Sequence, residues 1–145
     1  MKKDKRLSRC TALQILYSSE MSDNLPLDSF DFISNHFEEE IYTNNVKNYS
    51  LLLVKVTQKN MNYLDELICD KSKNWEINRI AIIDNIILRM AIAEMLFIED
   101  TPLKVSIAEA IEIAKIFSTN DSGRFVNGIL DAIYHDIIKG KMVVK

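Results

Sequence analysis

Few side chains of this chain stand at spacings that support catalysis or metal binding. Asp131 and His135 are one helical turn apart, where a carboxylate could orient an imidazole, although an exposed pair is the commoner outcome of that spacing. Cys10 and Cys69 have no cysteine or histidine nearby at metal-ligand spacing, so we interpret them as reduced structural thiols. Residues 38–40 form an acidic run that is typical of a solvated helix face. We therefore predict no catalytic residues, no metal site and no cofactor.

The segment 120–131 has a composition suited to recognition. Asp121 and Ser122 are predicted to cap a helix, because their side chains accept hydrogen bonds from unpaired backbone N–H groups. The helix that follows, to about Ile138, carries an apolar stripe interrupted by Gly128, which costs roughly 1 kcal/mol relative to alanine. We expect the close approach of another helix or a ligand to offset that cost.

The net charge of −3 conceals an asymmetry along the chain. The first nine residues are strongly basic, the tail adds three further lysines, and the middle is acidic. Such a distribution suits a protein with one anionic and one basic partner. Short basic termini are also common solubilising tails, so nucleic-acid binding is one of two interpretations of the charge alone.

Composition favours a single all-α domain over residues 1–145. Hydrophobic residues make up 48% of the 145 residues and charged residues 27%, which is ordinary for a globular protein. The chain has only three glycines and two prolines, the residues that most often interrupt secondary structure, so its composition favours long helices over many short strands. No apolar run reaches the ~18 residues of a membrane span, and no secretion signal is recognisable, so we expect no membrane association and a cytoplasmic location.

Apolar periodicity predicts helices at residues 7–21, 26–37, 46–68, 78–98, 105–117 and 121–138. Apolar residues surround almost the whole circumference of the 78–98 segment, which is typical of a central, buried helix. Its charged residues Asp84, Arg89 and Glu94 must then reach water or a partner. Internal pairing, for example with Arg79 or Asn85, and exposure at a docking surface are both open.

Four runs of sequence carry a resemblance to a known family. They are Ala12–Tyr17 after the basic tract, Ile87–Met95, Pro102–Lys115 and Phe125–Asp131. In this order and spacing, over essentially the whole chain, they resemble the NusB family of transcription antitermination factors. The resemblance implies a compact bundle of about seven helices in two subdomains, without a catalytic centre.

The resemblance also implies partners and site residues. Members of the family bind the single-stranded boxA element of nascent ribosomal transcripts together with NusE, a ribosomal protein, and join RNA polymerase and other Nus factors indirectly. Asp84 is the expected NusE-facing residue, and Phe125 has two interpretations, as a platform for a base or as core. The RNA-binding positions carried over are Lys2, Lys3, Lys5, Arg6, Arg9, Asp121, Arg124, Phe125 and Asn127.

One departure from the family pattern bears on RNA affinity. The basic tract mixes lysine with arginine and is interrupted by Asp4 and Leu7, where the family often has consecutive arginines. Lysine lacks the planar, bidentate geometry of arginine, so we expect weaker intrinsic RNA binding and more dependence on NusE. Two other functions are weighed, a helical protein–protein adaptor without RNA binding and a stand-alone relative of the NusB-like domain of RNA methyltransferases. Monomer and homodimer are both open.

Overall fold

The described part of the chain is built from helices. A computed structural model describes residues 2–36, 39–72 and 81–141, and these ranges contain no strand. They contain a short 3-10 helix at Glu39–Ile41 and seven α-helices, namely α1 (Lys2–Ser22), α2 (Pro26–His36), α3 (Asn44–Lys59), α4 (Met61–Lys71), α5 (Ile82–Phe97), α6 (Leu103–Phe117) and α7 (Asn120–Ile138). The predicted all-α class and the expected seven helices are both confirmed.

Two predicted helix boundaries are wrong in an informative way. α1 begins at Lys2 rather than near Leu7, so the basic tract is helical, as the good helix propensity of lysine and arginine favours. The helix predicted over 46–68 is two helices, because Asn60 leaves the helical conformation with φ −112° and ψ 19°. The Asn60 side-chain amide donates to the carbonyl oxygen of Val56 at 2.8 Å. Such side-chain bonds compete with the regular backbone pattern and end the helix.

The chain divides into two compact units, residues 1–55 (unit 1) and residues 56–145 (unit 2). In unit 1, α1 packs against α2, and small side chains join α1 to the start of α3. The Ser8 hydroxyl donates to the Val46 carbonyl at 3.3 Å, and the Ser50 hydroxyl donates to the Ser8 carbonyl at 3.2 Å. The apolar core of this unit includes Ala12, Leu13, Ile15, Leu16, Phe30, Ile33, Val46, Leu53 and Val54.

Unit 2 is built around α5, which contacts α4, α6 and α7. Its side chains from Ile86 to Leu88 and from Met90 to Leu96 are all buried, so the predicted central helix is confirmed. An ion pair between Lys71 and Asp136 links α4 to α7. The hydrogen bond between these two groups raises the pKa of Lys71 and lowers the pKa of Asp136, because it stabilises the charged form of each.

Two predictions about α7 are wrong, namely its N-cap residue and the close packing at its glycine. Thr119 is the N-cap in place of Asp121 or Ser122, since its extended backbone (φ −130°, ψ 170°) ends the preceding turn and its side chain accepts from the Ser122 N–H. Gly128 is exposed, and a Cβ added there would meet nothing within 4 Å, so the predicted close packing is wrong. The chain leaves α7 at Gly140, whose φ of +74° is the left-handed conformation common after a helix.

Candidate nucleic-acid interface

The basic face of α1 meets one aromatic ring of α3 inside unit 1. Lys5 Nζ lies 5.0 Å from the centroid of the Tyr49 ring, and Arg9 Cζ lies 5.9 Å from it. Both distances fall within the roughly 6 Å over which a cation is attracted to an aromatic face. Tyr49 belongs to α3, so its pairing with two cations of α1 depends on how the two helices pack.

Exposure separates the five predicted basic residues. Lys5 and Arg6 are partly exposed, so their charges can reach an RNA phosphate. Arg9 is only 4% exposed, which leaves almost no surface for direct contact with RNA. Its guanidinium instead packs within unit 1, over Tyr49. The side chains of Lys2 and Lys3 lie outside the described part of the structure.

The start of α7 presents polar side chains at successive helical positions in unit 2. Asp121, Arg124 and Asn127 follow an i, i+3, i+6 spacing, and all three are exposed. Phe125, one helical turn after Asp121, is only 8% exposed. Of its two interpretations, core packing is the one the structure supports, since a base could stack on Phe125 only if the ring left the core. The structure thus brings three of the four predicted α7 residues to one surface.

A buried hydroxyl network holds this helix start in place. The Ser122 hydroxyl donates to Asp84 Oδ2 at 2.9 Å and lies 2.7 Å from the Ser118 hydroxyl. The Thr119 hydroxyl accepts from the Ser122 backbone N–H at 3.1 Å. Sequence reasoning missed Ser118 and Thr119, although a threonine three residues before Ser122 is a recognisable cap signal. The network makes Ser122 a link between α7 and α5.

Asp84 faces inward instead of toward a partner. It is 6% exposed, and its Oδ1 has no hydrogen-bond partner among the described residues. It belongs to the first turn of α5 and bonds to the first turn of α7, so two positive helix ends lie near its carboxylate. Those dipoles offset part of the cost of burying a charge. Asp84 therefore offers little surface for direct contact with NusE.

The other charged residues of α5 are paired internally, which decides between the two open interpretations of this helix. Arg89 forms a bidentate pair with Asp65, with Nε to Oδ1 at 2.7 Å and Nη2 to Oδ2 at 3.1 Å. The Ser106 hydroxyl donates to Glu94 Oε1 at 2.6 Å. These partners come from α4 and α6, distant in sequence, so the pattern within α5 could not reveal them. Of the two partners suggested from sequence, Arg79 lies outside the described residues.

The residues considered for catalysis or metal binding form no larger cluster with one another within the described ranges. Asp131 and His135 lie 3.5 Å apart with more than half of each side chain exposed, as expected for a surface pair. Cys10 and Cys69 are not joined in a disulfide bond. The described residues hold no cluster of three metal-ligating side chains, and none of their helices is both long and apolar enough to cross a membrane.

Comparisons with known proteins agree with the fold and with the resemblance in sequence. The profile of the NusB family matches residues 6–135. The transcription antitermination protein NusB of Syntrophus aciditrophicus (strain SB) is 38% identical over 137 residues, which cover 94% of this chain and 83% of that protein. The structure of T. maritima NusB has a TM-score of 0.74 at 33% identity, with 88% of each chain covered.

A further solved structure supports the fold alone. It contains the antitermination factors NusB and NusE in complex with double-stranded RNA, and its TM-score is 0.78 at 24% identity, with 93% of this chain and 98% of that chain covered. Since the profile match and the S. aciditrophicus relative both extend over nearly the whole chain, this protein belongs to the NusB family of transcription antitermination proteins.

Proposed function

We propose that this protein suppresses transcription termination by binding boxA RNA of nascent ribosomal transcripts together with NusE. The observation that carries the proposal is the match over 94% of the chain to a transcription antitermination protein. RNA polymerase and the other Nus factors are then joined indirectly. This role would place the protein in the cytoplasm, where transcripts emerge.

The RNA contacts we propose come from two exposed groups, one in each unit. Lys5 and Arg6 supply positive charge from α1, and Asp121, Arg124 and Asn127 supply charge and hydrogen bonds from α7. Lysine and arginine release counterions when they neutralise phosphates, so binding should weaken as salt rises, with a slope near −0.7 per contact on single strands. Polar side chains beside the charges can read the edges of splayed bases.

Direct titration tests this assignment. Binding of a single-stranded boxA-like RNA is measured at low and high salt, with and without NusE, and against a duplex of the same sequence. We expect the single strand to bind more tightly, because its bases are accessible. Replacing Lys5 and Arg6 with glutamine should lower the salt slope by about 1.4, which is two contacts at about 0.7 each.

A matched control has the same loss of charge at another position. Lys55 and Lys59 are exposed on α3, and their replacement with glutamine should leave the slope unchanged. The Arg124→Gln variant tests the α7 group separately, with an expected decrease of about 0.7 in slope. If the wild-type protein binds no boxA RNA with or without NusE at low salt, the protein is a helical adaptor and the proposed mechanism is wrong.

NusE binding is measured in the same experiment. Asp84 is buried, so Asp84→Ala would act on NusE binding through the α7 start that the carboxylate holds. If this region faces NusE, Ser122→Ala and Asp84→Ala should weaken NusE binding together, whereas Asp84→Asn, whose amide can still accept from Ser122, should weaken it less. A loss with Asp84→Asn as large as with Asp84→Ala, while Ser122→Ala binds NusE normally, would indicate a direct contact by the carboxylate.

A further inference from the structure

A groove of about 430 Å³ lies between α1 and α2 in unit 1, more than one helical turn along α1 from Arg9. Gln14 and Ser18 line it from α1, and Phe32 and Ile33 line it from α2. Its surface is mostly apolar, and its volume is within the range of protein ligand sites. Neither the RNA-binding assignment nor the NusE assignment uses this groove.

Hydrogen bonds fix the turn that joins the two walls of the groove. Asp23 adopts a left-handed conformation with φ 56°, which ends α1 and redirects the chain. The Asn24 side-chain amide donates to the Ser18 hydroxyl at 2.8 Å, and the Ser19 hydroxyl donates to the Asn24 carbonyl at 3.2 Å. The groove is therefore formed before any ligand binds, which reduces the entropy lost on binding.

Apolar side chains are unusually exposed along the groove and its turn. Phe32 is 61% exposed at the groove, and Leu25 and Leu27 are 68% and 49% exposed on the connection and the first turn of α2. Leu25 and Leu27 are not among the residues that line the groove, so Phe32 is its exposed apolar contact. An exposed aromatic side chain beside an apolar groove favours a partner that presents its own apolar side chains.

The acidic residues at and near the groove indicate which class of partner it could bind. Residues 10–46 include seven aspartates and glutamates and neither lysine nor arginine. Asp28 lines the groove, and Asp31 is exposed next to Phe32 in sequence. Lys47 lies with Nζ 5.7 Å from the centroid of the Phe30 ring, whose side chain is buried. An acidic surface repels RNA phosphates and attracts a basic protein segment.

We propose that this groove binds an amphipathic helix of a protein partner. Its apolar face lies on Phe32 and Ile33, and its lysine or arginine side chains face Asp28 and Asp31. Docking of an amphipathic helix into an apolar groove is a recurrent mode of peptide recognition. The acidic rim then favours a basic partner and speeds its encounter with the protein. The groove is a surface separate from the residues of α1 and α7 that we propose to contact RNA.

The test uses a labelled peptide with the proposed chemistry. The peptide is about 18 residues long, above the length at which isolated helices become stable, and places leucines at i, i+3, i+4 and i+7 among alanines and lysines. One control peptide has the same composition with scrambled leucines, and the other has glutamate for lysine. Binding to the full-length protein is followed by fluorescence anisotropy at low and high salt.

Two protein variants test the groove residues. Phe32→Ser should weaken binding of the lysine peptide about tenfold, and circular dichroism should show an unchanged fold since the ring is 61% exposed. The Asp28→Asn, Asp31→Asn double variant should reduce the dependence of the affinity on salt. Ile138→Ser is the matched control, because Ile138 is 59% exposed and belongs to unit 2. It should leave the affinity unchanged.

Several results would overturn the proposal. The groove has another role if the wild-type protein does not bind the lysine peptide at low salt, or binds the scrambled or glutamate peptide equally well. An unchanged affinity of the Phe32→Ser variant would place the peptide elsewhere. If Phe32→Ser weakens boxA RNA binding but not peptide binding, the groove belongs to the RNA interface.

Discussion

The bond between Ser122 and Asp84 has a predictable effect on stability. In the Ser122→Ala variant the hydroxyl that donates to Asp84 Oδ2 at 2.9 Å is lost. Asp84 is 6% exposed, so water cannot readily replace the donor, and its other oxygen already has no hydrogen-bond partner among the described residues. The helix cap is kept, because the Thr119 hydroxyl accepts from the backbone N–H of residue 122 and not from its side chain.

The magnitude follows from the charge of the acceptor. Hydrogen bonds to charged groups contribute about 1.5–3 kcal/mol, compared with about 1 kcal/mol for neutral pairs. We therefore expect Ser122→Ala to lower the free energy of unfolding by about 2 kcal/mol. Asp84→Asn should cost less, since the neutral amide can still accept a hydrogen bond from Ser122. In a double-mutant cycle of Ser122→Ala with Asp84→Ala, the coupling energy should be about 2 kcal/mol.

Urea unfolding followed by circular dichroism measures these differences, through midpoints compared at constant slope. Ser34→Ala is the matched control, because the Ser34 hydroxyl donates to the Asp31 carbonyl of its own helix at an exposed position. It should change stability by less than about 0.5 kcal/mol. A Ser122→Ala variant as stable as this control, or additive effects of Ser122→Ala and Asp84→Ala, would refute the reasoning.

Three further predictions concern other contacts of the fold. Asp136→Asn should lower the melting temperature at pH 7, where both partners of its ion pair with Lys71 are charged. Because the pKa of Asp136 is lowered from 3.8, the pair's stabilisation is lost as the pH falls through that lowered pKa, so calorimetry at pH 7 and at strongly acid pH should show the difference shrinking. Gly128→Ala should raise the free energy of unfolding in urea by about 1 kcal/mol, because the site is open and helical, whereas Gly140→Ala should lower it by about 1 kcal/mol because of its left-handed φ. Arg9→Gln should lower the melting temperature in the absence of RNA, since its guanidinium packs inside unit 1, and an unchanged value would favour a contact made only with RNA.

Much of the architecture is predictable from local pattern. The 3.6-residue repeat and the scarcity of glycine and proline predict an all-α protein, and the nearly uniform apolar circumference of 78–98 predicts α5 as the buried helix. The stop at Gly140 and the surface pair of Asp131 and His135 also follow from residue type and spacing. These features depend on interactions within a few residues along the chain, which the sequence displays directly.

Features that depend on contacts between helices, or on a close competition between local hydrogen bonds, are not predictable in this way. Asn60 divides one predicted helix because its side chain bonds to the backbone. This bond competes closely with the backbone bonds that would continue the helix. Gly128 suggests close packing by its type, but the packing of α7 leaves it exposed. Arg9 belongs to the basic tract by sequence and to the interior of unit 1 by structure.

By itself the sequence determined the helices, the buried central helix, the basic start of α1 and the family. Tertiary structure alone decided which charged residues are accessible to a ligand. Asp84 turns inward to Ser122, Arg89 pairs with Asp65, and Phe125 joins the core, while Asp121 and Arg124 stay exposed. The physical reason is that burying a charge is costly unless a partner is present, and those partners come from other helices whose positions only packing sets.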